Sequence, residues 1–104
     1  MQVLFDTPEP DAAALRRTAV RRVRFVMRRL TWLVPRARVH LVDVNGPRGG
    51  VDKRCRLELK TDRAGTVVIT SMARDWHTAL DGALARASRA LMSTWRRRQA
   101  LAAL

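Results

Sequence analysis

The sequence predicts an α+β fold of order β-α-β-β-β-α: a four-stranded sheet with two long helices packed on one face. Three observations predict it. Apolar residues recur at a helical period from Ala12 to about Val34. Apolar and charged residues alternate strictly from Arg54 to Lys60, and a second helical period begins at Asp75. A chain of 104 residues is the length of one domain with one thin core. That domain is expected over residues 1–98, with a frayed tail over 99–104.

Gln2-Val3-Leu4-Phe5 is short, apolar and partly β-branched, and it meets Asp6-Thr7-Pro8, so it reads as a strand followed by a turn. Pro8, Glu9, Pro10 and Asp11 then set up a helix start, with Asp11 as N-cap or first-turn acid. In the first helix Leu15, Ala19, Val23, Val26, Leu30 and Leu33 share one face, with Val20 and Met27 on its flank. Arg17, Arg21, Arg24 and Arg28 fall together on the opposite side, and Pro35 stops the helix.

Arg38 to Val44 is a strand rich in β-branched residues. It runs into Asn45-Gly46-Pro47-Arg48-Gly49-Gly50, a turn that holds three of the five glycines and presents Arg48 at its tip. In the next strand Cys55, Leu57 and Leu59 face the core, while Arg54, Arg56, Glu58 and Lys60 make a wet, basic face. Thr61-Asp62-Arg63-Ala64-Gly65 is a hairpin turn into a strand over Thr66 to Met72. Asp75 opens the last helix, whose stripe is Trp76, Leu80, Ala83, Leu84, Ala87, Leu91 and Trp95, with Ala90 at its edge. Arg86, Arg89, Arg96 and Arg97 lie beside or opposite that stripe.

Charge narrows the function. Lys plus Arg is 21 against 9 Asp plus Glu, a net +12, while 47% hydrophobic residues place the chain among folded proteins. A folded domain with this imbalance repels itself, which suits a polyanionic partner, and the composition argues against an acidic-protein binder, a secreted mini-protein and a membrane protein. All but Lys53 and Lys60 of the basic residues are Arg, a skew that genome composition alone can produce, so meaning is read from charge position. Arg16 to Arg29 contains seven Arg and no acid, and Arg86 to Arg98 contains five Arg and no acid. Solvating faces normally mix both signs, so two single-signed helices read as a phosphate-contacting surface. Phe25 and Trp32 project off the apolar stripe, placed either to stack on bases or to pack under a loop.

Nothing in the pattern points to catalysis, a metal or a cofactor. His40 and His77 lie far apart on different elements, with no HExxH, CxxC or GxSxG pattern. Cys55 alternates with core leucines and reads as a core residue. Asp43 and Asp52 flank the glycine-rich turn and are expected to hydrogen-bond within it, since two acids are too few for a cation cage. No long apolar run or leader pattern is visible, and the cytoplasm is the expected location.

The order and spacing of these pieces resemble the bacterial ribosome hibernation-promoting factors, also called ribosome-associated inhibitor or sigma-54 modulation proteins. The likeness spans nearly the whole chain. Asp75-Trp76-His77-Thr78-Ala79-Leu80-Asp81 is similar to that family's entry to its second helix, with His77 where Tyr is usual. Arg86 and Arg89 match a basic pair further along, and Leu91 the Leu that follows. Asp43-Val44-Asn45-Gly46-Pro47-Arg48-Gly49-Gly50 followed by Asp52-Lys53-Arg54-Cys55 is similar to a divergent proteobacterial branch. Thr7-Pro8-Glu9-Pro10 departs from the family's Gly-containing segment, and the long form's dimerisation domain has no counterpart before Leu104.

The resemblance implies a fold like that of double-stranded-RNA-binding domains. It also implies lodging in the small-subunit channel for mRNA and tRNA, against ribosomal RNA, so that ribosomes are held idle under stress. Partners would then be the small subunit and its rRNA, without a membrane, small-molecule substrate or obligatory homo-oligomer. Candidate contact residues are Arg17, Arg21, Arg24, Arg28, Arg48, Arg86, Arg89, Arg96 and Arg97. Two other readings share the same charge: a general binder of structured RNA, and a regulator docking on an acidic protein.

Overall fold

A computed structural model describes residues 1–45, 50–62 and 65–103. In chain order it forms β1 (Gln2–Asp6), α1 (Pro10–Ala13), α2 (Arg16–Val26), β2 (Arg36–Asp43), β3 (Lys53–Lys60), β4 (Thr66–Ala73) and α3 (Trp76–Ala102). The strands make one sheet in the order β1-β2-β3-β4, with β1 parallel to β2 and the other neighbours antiparallel. This is the α+β arrangement the sequence predicts. Arg48 lies outside the described residues.

The core sits between the sheet and the helices. Alternation puts Ala37, Val39 and Leu41 of β2 and Cys55, Leu57 and Leu59 of β3 on one face, all of them buried. Val39 opposes Leu57, and Leu57 opposes Ile69 of β4. From above come Ala19 and Val23 of α2 and Ala79, Leu80, Ala83, Leu84, Ala87 and Leu91 of α3. The small residues of α3 allow close approach to the sheet. A Cβ on Gly82 would stand 2.6 Å from Ser71 Oγ on β4. Asp75 caps α3, its carboxylate accepting from the Thr78 backbone N–H at 2.8 Å and from the Thr78 hydroxyl at 2.9 Å. These bonds hold the Asp75 carboxyl below its ordinary pKa.

The first helix differs from its expected span of Ala12 to Val34. It is one short turn, α1, then α2, which ends at Val26; residues 27–33 continue as turns. Leu30 N–H donates to Met27 O, and Leu33 N–H donates to Leu30 O, so each step is a three-residue one. Met27, Leu30 and Leu33, spaced by three, are all buried; Met27 is fully so, whereas Leu15 and Val26 are only half-buried. Spacing by three satisfies a helix and a run of tight turns equally. Like-charged pairs such as Arg17/Arg21 and Arg24/Arg28 weaken the longer helix. The turns also deliver Val34 to the core just before β2 begins.

At the other end α3 runs to Ala102. Its last residues, exposed on all sides, are Ala- and Leu-rich and favour the helical state without tertiary help. Trp95 is half-buried and meets Trp32 edge-on, with ring centroids 4.8 Å apart.

A polar cluster closes one end of the sheet. Lys53 Nζ donates to Asp43 Oδ2 at 2.7 Å, lies 3.4 Å from Asp52 Oδ1, and sits 5.4 Å from the Trp76 ring centre. Its hydrogen bond with Asp43, aided by Asp52, raises the Lys53 pKa against the opposing effect of burial. Trp76 Nε1 in turn donates to Asp11 Oδ2 at 3.0 Å, tying α1 to α3. Asp43 serves the turn as expected, accepting from Asn45 N–H at 3.1 Å. Asp52 does not: it is fully buried, and its carboxylate is balanced by the Lys53 ammonium rather than by turn N–H groups. An internal cation thus stands where a bound one would have to sit.

Candidate nucleic-acid interface

The outer side of α2 carries Arg17, Arg21 and Arg24, all exposed. Arg24 reaches back to donate to the Met1 carbonyl at 3.1 Å. Arg28 belongs to the turn beyond the helix, not to the helix. Its guanidinium donates to Phe25 O at 2.8 Å and lies 4.3 Å from the Phe25 ring centre. Phe25 is therefore neither buried under a loop nor bare: at 62% exposure it forms a flat hydrophobic plate beneath a cation. Trp32 is also exposed, yet its position is held by Trp95 and by Nε1 donating to Arg29 O at 3.1 Å.

Arg22, on the inner side of α2, pairs with Asp81 at 2.6 Å. Asp81 is the single acid within α3 and α2 has none, so this pair uses up the only counter-charge carried by those two helices. The remaining arginines of that layer have no acidic partner among the described residues.

On α3, Arg89, Arg96 and Arg97 are exposed and line, with Ser88, Met92, Ser93 and Ala100, an open groove of about 630 Å³. A second hollow of about 300 Å³ shares Ser88 and Met92 with it and is walled by Val26, Arg28, Arg29 and Leu30. The end of α2 and the middle of α3 therefore converge: Arg28 and Arg29 wall this hollow, while Arg89 and Arg96 line the adjoining one. Arg29 was not singled out in the sequence; the turn after Val26 is what swings it there. Arg86 is placed differently. It points to β4, where its guanidinium donates to the Thr70 carbonyl, so part of its hydrogen-bonding capacity is already used.

The opposite face of the sheet is also basic. Arg36, Arg38 and His40 of β2 stand beside Lys60, Glu58 and Arg56 of β3. Asp6 and His40 Nδ1 are hydrogen-bonded at 2.7 Å, and Glu58 pairs with Arg56 at 3.1 Å. The alternation in β3 announced this face, but its match with β2 required the strand register.

No family model matches this chain, and no curated protein matches it. Among the described residues no three His, Cys, Asp or Glu side chains gather to hold a metal, and no helix is long and apolar enough to cross a membrane. His77 is exposed at the start of α3, remote in the fold from His40 on the far face of the sheet. Cys55 is fully buried, and desolvation pushes its thiol up to about 12, the opposite of an activated nucleophile. What the helical layer offers is a set of forked cation donors without acids between them. Such donors suit phosphate oxygens, which accept paired N–H bonds from guanidinium groups.

Proposed function

We propose that this protein is a ribosome-binding translation inhibitor of the hibernation type, working in the cytoplasm by occupying the mRNA–tRNA channel of the small subunit. The observation that carries the reading is the one-signed helical layer. Arg17, Arg21, Arg28, Arg29, Arg89 and Arg96 are exposed on α2, the turn that follows it and α3, whose single acid, Asp81, is already paired. Mechanistically, the domain acts by occupancy without bond-making. Phosphate contacts supply most of the affinity, and the shape of a preformed RNA cavity supplies selectivity. With about eight phosphates neutralised, log affinity falls against log salt with a slope of about −6 to −7. The resemblance of the Asp75–Asp81 run and of Arg86 and Arg89 to the hibernation factors supports ribosomal RNA as the target.

The test is sedimentation of a tagged lysate through a sucrose gradient, from growing and from starved cells, with and without a salt wash. Co-migration with small subunits or whole ribosomes in starved cells, lost at high salt, is the expected result. A protein that stays at the top of the gradient in both states overturns the reading. Binding to free duplex RNA as tightly as to ribosomes would replace it with general structured-RNA binding.

A further inference from the structure

We propose that the open face of the sheet is a second phosphate-binding surface, which takes the backbone of a single RNA strand across Arg36, Arg38, Lys60 and Thr66 on the side away from the helices. The inference rests on the reading above only in taking RNA as the partner class; it needs no ribosome.

Strand register makes the site. Arg36 of β2 opposes Lys60 of β3, which opposes Thr66 of β4, while Arg38 stands one step along, opposite Glu58. These five residues line a hollow of about 220 Å³. Glu58 is the one acid in it, and its charge is taken up by Arg56 at 3.1 Å. Arg36, Arg38 and Lys60 have no acidic partner among the described residues. The hollow thus combines three free cations with the Thr66 hydroxyl, a donor set for phosphate oxygens.

The layout of the face separates RNA from a protein partner. A protein–protein interface has an apolar centre and a polar rim. Here the order is reversed around the hollow: Arg36, Arg38, Glu58 and Lys60 occupy central strands β2 and β3, Leu4 on β1 and Val68 and Met72 on β4 lie at the two edges, and the one apolar residue of the central strands on this face, Val42, stands at their far end. Among the described residues no Phe, Tyr or Trp stands on this face, and its one imidazole, His40, is hydrogen-bonded to Asp6 away from the hollow, so the hollow addresses the backbone rather than the bases. Residues two apart along a strand repeat at about 6.8 Å, and neighbouring strands lie about 4.8 Å apart. Two central strands therefore make a track one backbone wide, too narrow for both backbones of a duplex.

The experiment titrates the whole protein with a fluorescent uridine-rich RNA of about 12 nucleotides, a length within the usual site size of single-strand binders. Anisotropy gives affinity and salt slope, and amide shifts in two-dimensional NMR give location. The expected result is shifts in β2 and β3, with Arg38→Glu/Lys60→Glu weakening binding about tenfold. The salt slope becomes shallower by about 1.4, two phosphate contacts at 0.7 each. The milder Arg38→Gln/Lys60→Gln pair should lose the same slope while melting like the wild type. Shifts confined to α2 and α3, or wild-type affinity in both sheet variants, would overturn the proposal. So would polyglutamate reproducing the RNA-induced shifts at equal affinity, since the face would then be reading carboxylates. Oligonucleotide binding on the sheet by a protein that never sediments with ribosomes would remove the ribosomal reading and leave this one standing.

Discussion

Arg86 and Arg89 look equivalent in the sequence, three residues apart on one helix, yet they do different work. Arg86 is tied to the Thr70 carbonyl and braces α3 against the sheet edge, whereas Arg89 rims the groove with no acid near it. Arg89→Glu with Arg96→Glu should therefore weaken RNA binding by at least tenfold and leave the unfolding free energy within about 0.5 kcal/mol of wild type. Arg86→Ala should do the reverse in part, costing about 1 kcal/mol from a lost backbone contact with a smaller loss of binding. Paired thermal melts and filter binding separate the two. Cys55 makes a sharper case. Its buried thiol should be inert to thiol reagents in the native protein and react fully once denaturant is added. Its pKa is raised on folding, so the native state holds the proton more tightly. Stability from this group is complete below the ordinary thiol value and declines as pH rises from there toward about 12. The raised Lys53 pKa has the same sign, so chemical denaturation midpoints should fall through the alkaline range and stay flat with respect to both groups at neutral pH.

Among the elements, α3 shows how a helix and a sheet negotiate contact. Gly82 lies in the helix interior, where glycine costs about 1 kcal/mol relative to alanine. Its lack of a side chain leaves room for Ser71 Oγ, which would stand 2.6 Å from an added Cβ. Only a hydroxyl has to move, so Gly82→Ala alone should change stability little, the helical gain being offset by displacement of Ser71. Combined with Ser71→Ala it should gain about 1 kcal/mol, read as a higher denaturation midpoint. Strand β3 was fully legible, because Cys55, Leu57 and Leu59 alternate with charged residues and only one face of such a strand can be buried. The first helix was legible in its inward residues but not in its length. Met27, Leu30 and Leu33 face the core either way, and the choice between helix and tight turns is made by where Val34 must enter the core.

For the whole molecule the governing quantity is the net charge of +12 on a domain of this size. Both faces of the fold are basic, the helical layer through α2 and α3 and the sheet through β2 and β3, so folding concentrates positive charge on two opposed surfaces. Self-repulsion of this kind is screened by salt. The melting temperature should therefore rise as sodium chloride is added, until screening is complete, and rise further with a bound polyanion, which stabilises the native state by mass action. A melting temperature independent of salt would mean that the arginines are already neutralised within the fold. RNA binding must show the opposite trend, weakening with salt, so the two salt responses cross in sign.

Local spacing along the chain sets the order of elements, the inward face of each strand, the buried Cys55 and the acid-free runs from Arg16 to Arg29 and from Arg86 to Arg98. These follow from local periodicity, because a period of two or of about three and a half residues can be met by only one face. The tertiary structure alone decided which arginines are free. Arg22 is neutralised by Asp81, 59 residues away, Arg86 is spent on β4, and Arg29 is carried by a turn into the hollow between α2 and α3. It also decided that Arg36 and Arg38 share a hollow with Lys60, since strand register is set by pairing across the sheet and leaves no trace in the spacing along the chain.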